Sequence, residues 1–251
     1  MKKDENPSLK LNLQGIALGD ALVDPVQQRV QYPGQLFANA IFDEYDVKEM
    51  ESINQRCTRE IVQSKWTEAN KVCDLIQEYF VLKSGDVNVY DLRAFGPPFN
   101  RSAMIHYVGL PEFYDSLGLP SDEANRRWVE CNKDVKLHLG DDRMQSSLPK
   151  LRQVIEDGRI KVLLYNGQFD MKDGPLGTQS FLKTVPVALQ SLWNKSNQKK
   201  IVNVTENGES HITAYLREHN KLSFVIVTAA GHFSPMASTI CLFNWHVSYF
   251  F

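Results

Sequence analysis

Two residues far apart in the chain are of the types that acyl-transfer chemistry needs: an imidazole at His232 and a carboxyl at Asp170. His232 follows Gly231 just beyond the apolar run 222–229, so a glycine opens a loop at the end of a predicted buried strand. From such a loop an imidazole can reach across the top of a sheet toward a nucleophile. A histidine there can also serve structure alone, so it needs a partner. Asp170 closes the segment Asn166-Gly167-Gln168-Phe169-Asp170, just past the apolar run 160–165. A carboxylate there can accept the Nδ1 proton of His232, hold its tautomer and stabilise the imidazolium. Acid before histidine, each after its own strand, is the second half of the order Ser, acid, His. Asp170 can equally cap a turn, with Asp173-Gly174 making the next one. Spacing alone leaves both readings open.

The sequence offers no nucleophile for this pair. Gly208-Glu209-Ser210 has the first half of a Gly-x-Ser-x-Gly elbow, but β-branched Ile212 stands where the second glycine belongs. The triplet also follows Asp170, which reverses the order. A surface loop before a hairpin suits Ser210 better, and His211 and His219 close by are as poorly placed for chemistry. Ser8 follows Pro7 with no strand before it.

The elements that must position these residues read as follows. Runs 11–18, 160–165 and 222–229 are predicted buried strands of a mostly parallel sheet. Each ends in polar residues: Gly19-Asp20, residues 168–173, and Gly231-His232. Open α/β sheets place their chemistry at such carboxyl ends. Stretches 47–64 and 66–82 carry apolar residues at helical spacing, and a break near Ser64-Lys65 folds them into an antiparallel hairpin. Cys57 and Cys73 then lie at comparable distances from the turn, which predicts a disulfide. Residues 92–100 read as a Pro/Gly loop, 111–117 and 148–156 as further helices, and 241–251 as a closing helix. Cys131 and Cys241 read as buried free thiols or a second pair, and no CxxC spacing suggests zinc or redox work.

The chain has 251 residues, a net charge of −2 and 43% hydrophobic residues. That is enough for one large α/β domain or a core with an inserted cap. The charge balance gives no nucleic-acid groove and no polybasic membrane surface. No apolar run is long enough to span a bilayer. The start, Met1 to Pro7, lacks the apolar core of a secretory signal, so the chain as written reads as cytoplasmic. Against that stand three glycosylation acceptor triplets, at Asn100, Asn194 and Asn203.

Residues 162–170, residues 224–235 with His232 followed three positions on by Pro235, and residues 12–25 resemble three blocks of the serine carboxypeptidase family, in its order. The character is that of the vitellogenic and retinoid-inducible carboxypeptidase branch. The resemblance implies an α/β-hydrolase fold, incomplete on its N-terminal side, with a helical cap insertion. It divides the chain into a first core strand and turn (1–42), a mainly helical cap (43–157) and a core half bearing the acid and histidine (158–251). It implies a serine-type carboxypeptidase acting on the C-terminal end of peptides, with catalytic Asp170 and His232, no cofactor and no metal. It also implies a secreted, lysosomal or vacuolar setting. The family's Gly-x-Ser-x-Gly elbow, oxyanion-hole loop and carboxylate clamp would lie before residue 12, so this chain alone is expected to be inactive. A non-catalytic binding protein and an acyltransferase of the same fold are the alternatives. Two departures bear on loop positioning. Gly19-Asp20-Ala21 replaces a Gly-Asn-Gly-like turn, and Met236-Ala237-Ser238 replaces an acid, a glutamine and a proline. A parallel sheet without its earlier strands would expose an unpaired edge, so aggregation or a need for a partner is expected.

Overall fold

The computed structural model describes residues 12–96, 101–119, 129, 131–195, 199–206 and 209–237. A five-stranded sheet runs in the order β1 (Gly15–Gly19), β4 (Lys161–Gly167), β7 (Leu222–Val227), β6 (Glu209–His219), β5 (Lys200–Glu206). The β1/β4 and β4/β7 pairs are parallel, and β6 is antiparallel to both neighbours. The continuous apolar character of β4 and β7 has a direct cause. Val162, Leu164, Leu222 and Phe224 join one buried cluster, while Leu163, Val225 and Val227 join another, so both faces are covered. Register sets the ends level: Gly19 faces Tyr165, and Gly167 faces Val227. The loops after β1, β4 and β7 therefore leave the sheet side by side.

Helices α1 (Pro25–Arg29) and α2 (Tyr32–Ala38) lead into the hairpin of α3 (Glu44–Val62) and α4 (Trp66–Ser84). Asp43 caps α3 by accepting the N–H groups of Tyr45 at 2.8 Å and Asp46 at 2.9 Å. Gly85 ends α4 in the left-handed region (φ 68°), where a Cβ would be strained. Between the two helices Cys57 is bonded to Cys73, with Cα atoms 4.9 Å apart. Met50, Ile53, Ile76 and Phe80 of the hairpin share one buried cluster with Tyr32, Leu36 and Met171. That packing anchors the helices beside the loop after β4. Helices α5 (Ser102–Val108), α6 (Pro111–Ser116) and α7 (Lys133–Leu139) follow, with no buried residue in any of them. By contrast α8 (Leu148–Asp157), inside the 43–157 stretch, packs Leu151 and Ile155 against the sheet. Helices α9 (Pro175–Lys183) and α10 (Pro186–Ala188) and a π-helical turn (Leu189–Lys195) connect to β5, and α11 (Ser234–Ala237) follows β7.

Several sequence expectations change in structure. The first strand begins at Gly15 and is only half-buried, because β4 is its one strand neighbour among the described residues. The 92–100 stretch is not wholly a loop. Asp91–Phe95 forms β3 and pairs with β2 (Val87–Asn88), a tight reversal in which the Asn88 side chain accepts the Tyr90 N–H at 2.8 Å. Ser210 and His211 lie within strand β6 rather than in a loop, exposed on the β5–β6 hairpin, and His219 ends that strand. Cys131 is an exposed thiol, not a buried one, since it precedes α7, which buries no residue. Cys241 and the 241–251 segment lie outside the described residues, as does Asn100.

Candidate active site

The structure brings Asp170 and His232 together. His232 Nδ1 stands 2.9 Å from Asp170 Oδ2, which assigns the ring proton to Nδ1 and leaves Nε2 as an acceptor. Asp170 is fully buried, and the His232 side chain retains 21% exposure, so the acid is sequestered while the ring faces outward. Asp170 also does what a turn-capping aspartate does. Its carboxylate accepts the N–H of Lys172 at 2.8 Å and of Asp173 at 3.3 Å. The two readings left open by spacing describe one residue: the turn that Asp170 caps aims its second oxygen at the imidazole.

The histidine is held as firmly. Its backbone N–H donates to the Tyr90 carbonyl at 2.6 Å, and its ring packs in a three-ring cluster with Tyr90 and Phe233, every pair of centroids 5.3 Å apart. The Asp170 carbonyl accepts from Gln35 Nε2 at 2.7 Å, which ties α2 to the acid loop. Gly167 and Gly231 make the loops fit, because a Cβ at Gly167 would overlap the Gly231 carbonyl and one at Gly231 would overlap the Tyr90 carbonyl. Burial works against the charged ring. The hydrogen bond and charge of Asp170, helped by Asp173 and Asp20, outweigh it and raise the His232 pKa.

Asp20, from the turn after β1, joins the pair. Its Oδ1 accepts the Gly167 N–H at 2.9 Å, and its Oδ2 lies 3.1 Å from Ser234 Oγ. It thus bridges the loop of the acid and the loop of the histidine. Burial, with the Asp170 charge second, pushes the Asp20 carboxyl up to about 8. A protonated Asp20 can donate to Ser234 Oγ, freeing that hydroxyl for the Gly231 carbonyl at 3.2 Å. Ligating atoms of Asp20, Asp170 and His232 all fall within 4.8 Å of one another. Protein N–H and O–H donors already lie within hydrogen-bonding range of both oxygens of each carboxylate.

Sequence reasoning placed the acid and the histidine but not their supports. Asp20 carried a usable signal, a polar residue at the carboxyl end of a parallel strand. Tyr90 and Gln35 carried none, because only tertiary packing brings them here. Among the described residues no serine hydroxyl is hydrogen-bonded to His232, and Ser234 is turned toward Asp20 and Gly231. Asn194 and Asn203 are both exposed.

A parallel-centred sheet with a buried acid and an outward histidine on adjacent strand-end loops defines the α/β-hydrolase class. The fold matches that of Kex1Δp, a prohormone-processing carboxypeptidase from Saccharomyces cerevisiae, with TM-score 0.72 at 19% identity over 95% of this chain and 54% of that one. The family profile described as Peptidase_S10, serine carboxypeptidase, matches residues 1–247, and the chain belongs to that family. It is similar to a probable serine carboxypeptidase CPVL of Dictyostelium discoideum, at 30% identity over 94% of this chain and 46% of that protein. It is also similar to the human probable serine carboxypeptidase CPVL, at 25% identity over 94% of this chain and 49% of that protein. The chain spans about half the length of these relatives.

Proposed function

We propose that this chain carries the acid and the general base of a serine-type carboxypeptidase, Asp170 and His232, acting at the C-terminal end of peptides. The observation behind this reading is the 2.9 Å contact from His232 Nδ1 to a fully buried Asp170, with Nε2 left as acceptor, in a chain of that family. A serine hydroxyl from sequence outside these 251 residues would give its proton to Nε2 as Oγ attacks the scissile carbonyl. His232 would then protonate the leaving amine, releasing the terminal amino acid, and would next activate water to free the acyl group. Asp170 orients the ring and stabilises the imidazolium. The Cys57–Cys73 disulfide and the exposed acceptor asparagines Asn194 and Asn203 fit a protein of the secretory, lysosomal or vacuolar route. Among the described residues no helix is long and apolar enough to cross a membrane.

The test is release of a C-terminal residue from an N-blocked dipeptide. The 251-residue chain alone should show none, because the hydroxyl is not supplied. A longer protein carrying the Gly-x-Ser-x-Gly segment should turn over and lose activity on His232→Ala. Steady turnover by the present chain, abolished by His232→Ala, would overturn this division of labour.

A further inference from the structure

Turn residues usually face water, but the reversal between β2 and β3 is packed inside. Asn88 is 5% exposed, and Val87 and Val89 join the cluster that holds Met171 and the α3–α4 hairpin. The backbone of residues 89–92 reaches both catalytic loops. The Val89 carbonyl accepts the Lys172 N–H at 3.2 Å, and the Leu92 N–H donates to the Phe169 carbonyl at 3.0 Å. Those two bonds grip the acid loop on either side of Asp170. The Tyr90 carbonyl, accepting the His232 N–H at 2.6 Å, grips the histidine itself. Asn88 fixes the turn that makes these bonds. Its Oδ1 accepts the Tyr90 N–H at 2.8 Å, and its Nδ2 donates to the Gly96 carbonyl just past β3. We propose that Asn88 is a positioning residue for the acid–histidine pair, setting the Asp170–His232 contact through the β2–β3 turn. This rests on the carboxypeptidase reading above and deepens it by naming what holds its two reacting loops in register.

The two loops are also tied to each other. Phe169 N–H donates to the Ala230 carbonyl at 2.8 Å, and Asp20 bridges Gly167 and Ser234. Those ties act at residues beside the pair and leave the His232 backbone to the Tyr90 carbonyl. Gly231, just before it, has no side chain to brace the loop, and a Cβ there would overlap both the Tyr90 carbonyl and Asp91 Cβ. A glycine that admits the turn so closely also leaves the histidine loop supple, so the anchor must come from outside it. On the acid side, Arg93, paired with Asp91 at 2.6 Å, lies 4.7 Å over the Phe169 ring and adds a side-chain hold. An asparagine that merely caps a turn contributes to stability alone. One that sets a catalytic contact also controls the state of the imidazole, because a shift of about 1 Å at such a site can cost roughly 100-fold in rate.

The imidazole can be read in the 251-residue chain itself, without the nucleophile. Ring-nitrogen NMR shifts of the nitrogen-labelled protein, with His232 assigned by its disappearance in His232→Gln, report which nitrogen carries the proton when the ring is neutral. In wild type that is Nδ1, facing Asp170. Asn88→Ala should return His232 toward the Nε2–H form that a free histidine prefers. Its raised pKa should also fall toward the ordinary 6.5, as the hold of Asp170, Asp173 and Asp20 on the ring weakens. Asn88→Asp keeps an acceptor for the Tyr90 N–H and should keep the Nδ1–H form. Ile155→Ala, under α8 and away from the pair, should lower the melting temperature without moving the ring nitrogens. Should Asn88→Ala fail to melt cooperatively, Asn88→Ser, whose hydroxyl makes a weaker version of the same turn, should give an intermediate tautomer ratio. In a protein carrying the nucleophile, Asn88→Ala should lower kcat by about 10- to 100-fold with little change in KM. A folded Asn88→Ala or Asn88→Ser with wild-type tautomer and pKa overturns the positioning role and leaves the peptidase reading standing. A wild-type ring that carries its proton on Nε2 counts against the Asp170–His232 contact, and with it both.

Discussion

Asp20→Asn isolates the effect of a carboxyl buried beside the acid–histidine pair. In the folded chain the Asp20 carboxyl titrates at about 8 against an ordinary 3.8, chiefly because burial penalises its charge. Between those values the folded state holds a proton that the unfolded state has released, so stability falls as pH rises through this window. Each pH unit inside it costs the folded state about 1.4 kcal/mol. From about pH 5 to about pH 8 the loss reaches a ceiling of about 4 kcal/mol. His232 adds a loss of the same sign. Its raised pKa stabilises the fold fully below the unfolded value, and that share disappears as pH climbs through the folded one. The asparagine has nearly the same shape, keeps an oxygen for the Gly167 N–H and offers an N–H to Ser234 Oγ, and it cannot ionise. Wild type and Asp20→Asn should therefore melt within about 1 kcal/mol of each other near pH 5. Near pH 8 the variant should be more stable by about 2–4 kcal/mol, or roughly 5–15 °C for a chain of this size. Calorimetric or circular-dichroism melts across the range at fixed ionic strength measure this. Parallel pH profiles for the two proteins would refute the reasoning.

The other predictions concern the supports of the same site. In a protein carrying the nucleophile, Asp170→Asn should lower kcat by about 10⁴ with little change in KM, since it turns the imidazole tautomer around; a loss below tenfold would remove Asp170 from the role. Gly167→Ala should cost at least 1–3 kcal/mol (roughly the price of overpacking), because the new methyl meets the Gly231 backbone; denaturant melts at constant slope would show it. Reducing Cys57–Cys73, which closes a separation of 16 residues, should lower stability by about 3 kcal/mol, while labelling of both thiols without reductant would show the bond absent. The edge of β1 away from β4 has no strand partner among the described residues, so the chain alone should self-associate in sedimentation runs; a sharp monomer with cooperative unfolding would count against that.

The sequence by itself determined what local pattern can encode. Unbroken apolar runs marked β4 and β7, because strands buried on both faces carry no polar alternation. Helical spacing marked α3 and α4, and the residues after each strand marked Asp170 and His232. It could not determine the half-burial of β1, since that depends on which strands flank it. It missed β3, because a five-residue strand beside glycine and prolines looks like the loop around it. The supports of the site came only with the tertiary structure. Asp20, Gln35 and Tyr90 lie between 142 and 212 residues from His232, and no local propensity links them to it. Their places follow from the parallel register that sets the ends of β1, β4 and β7 level and from the packing of the helices against the loop after β4. A contact between distant segments is fixed by global packing, whereas a run or a period is fixed by neighbours along the chain.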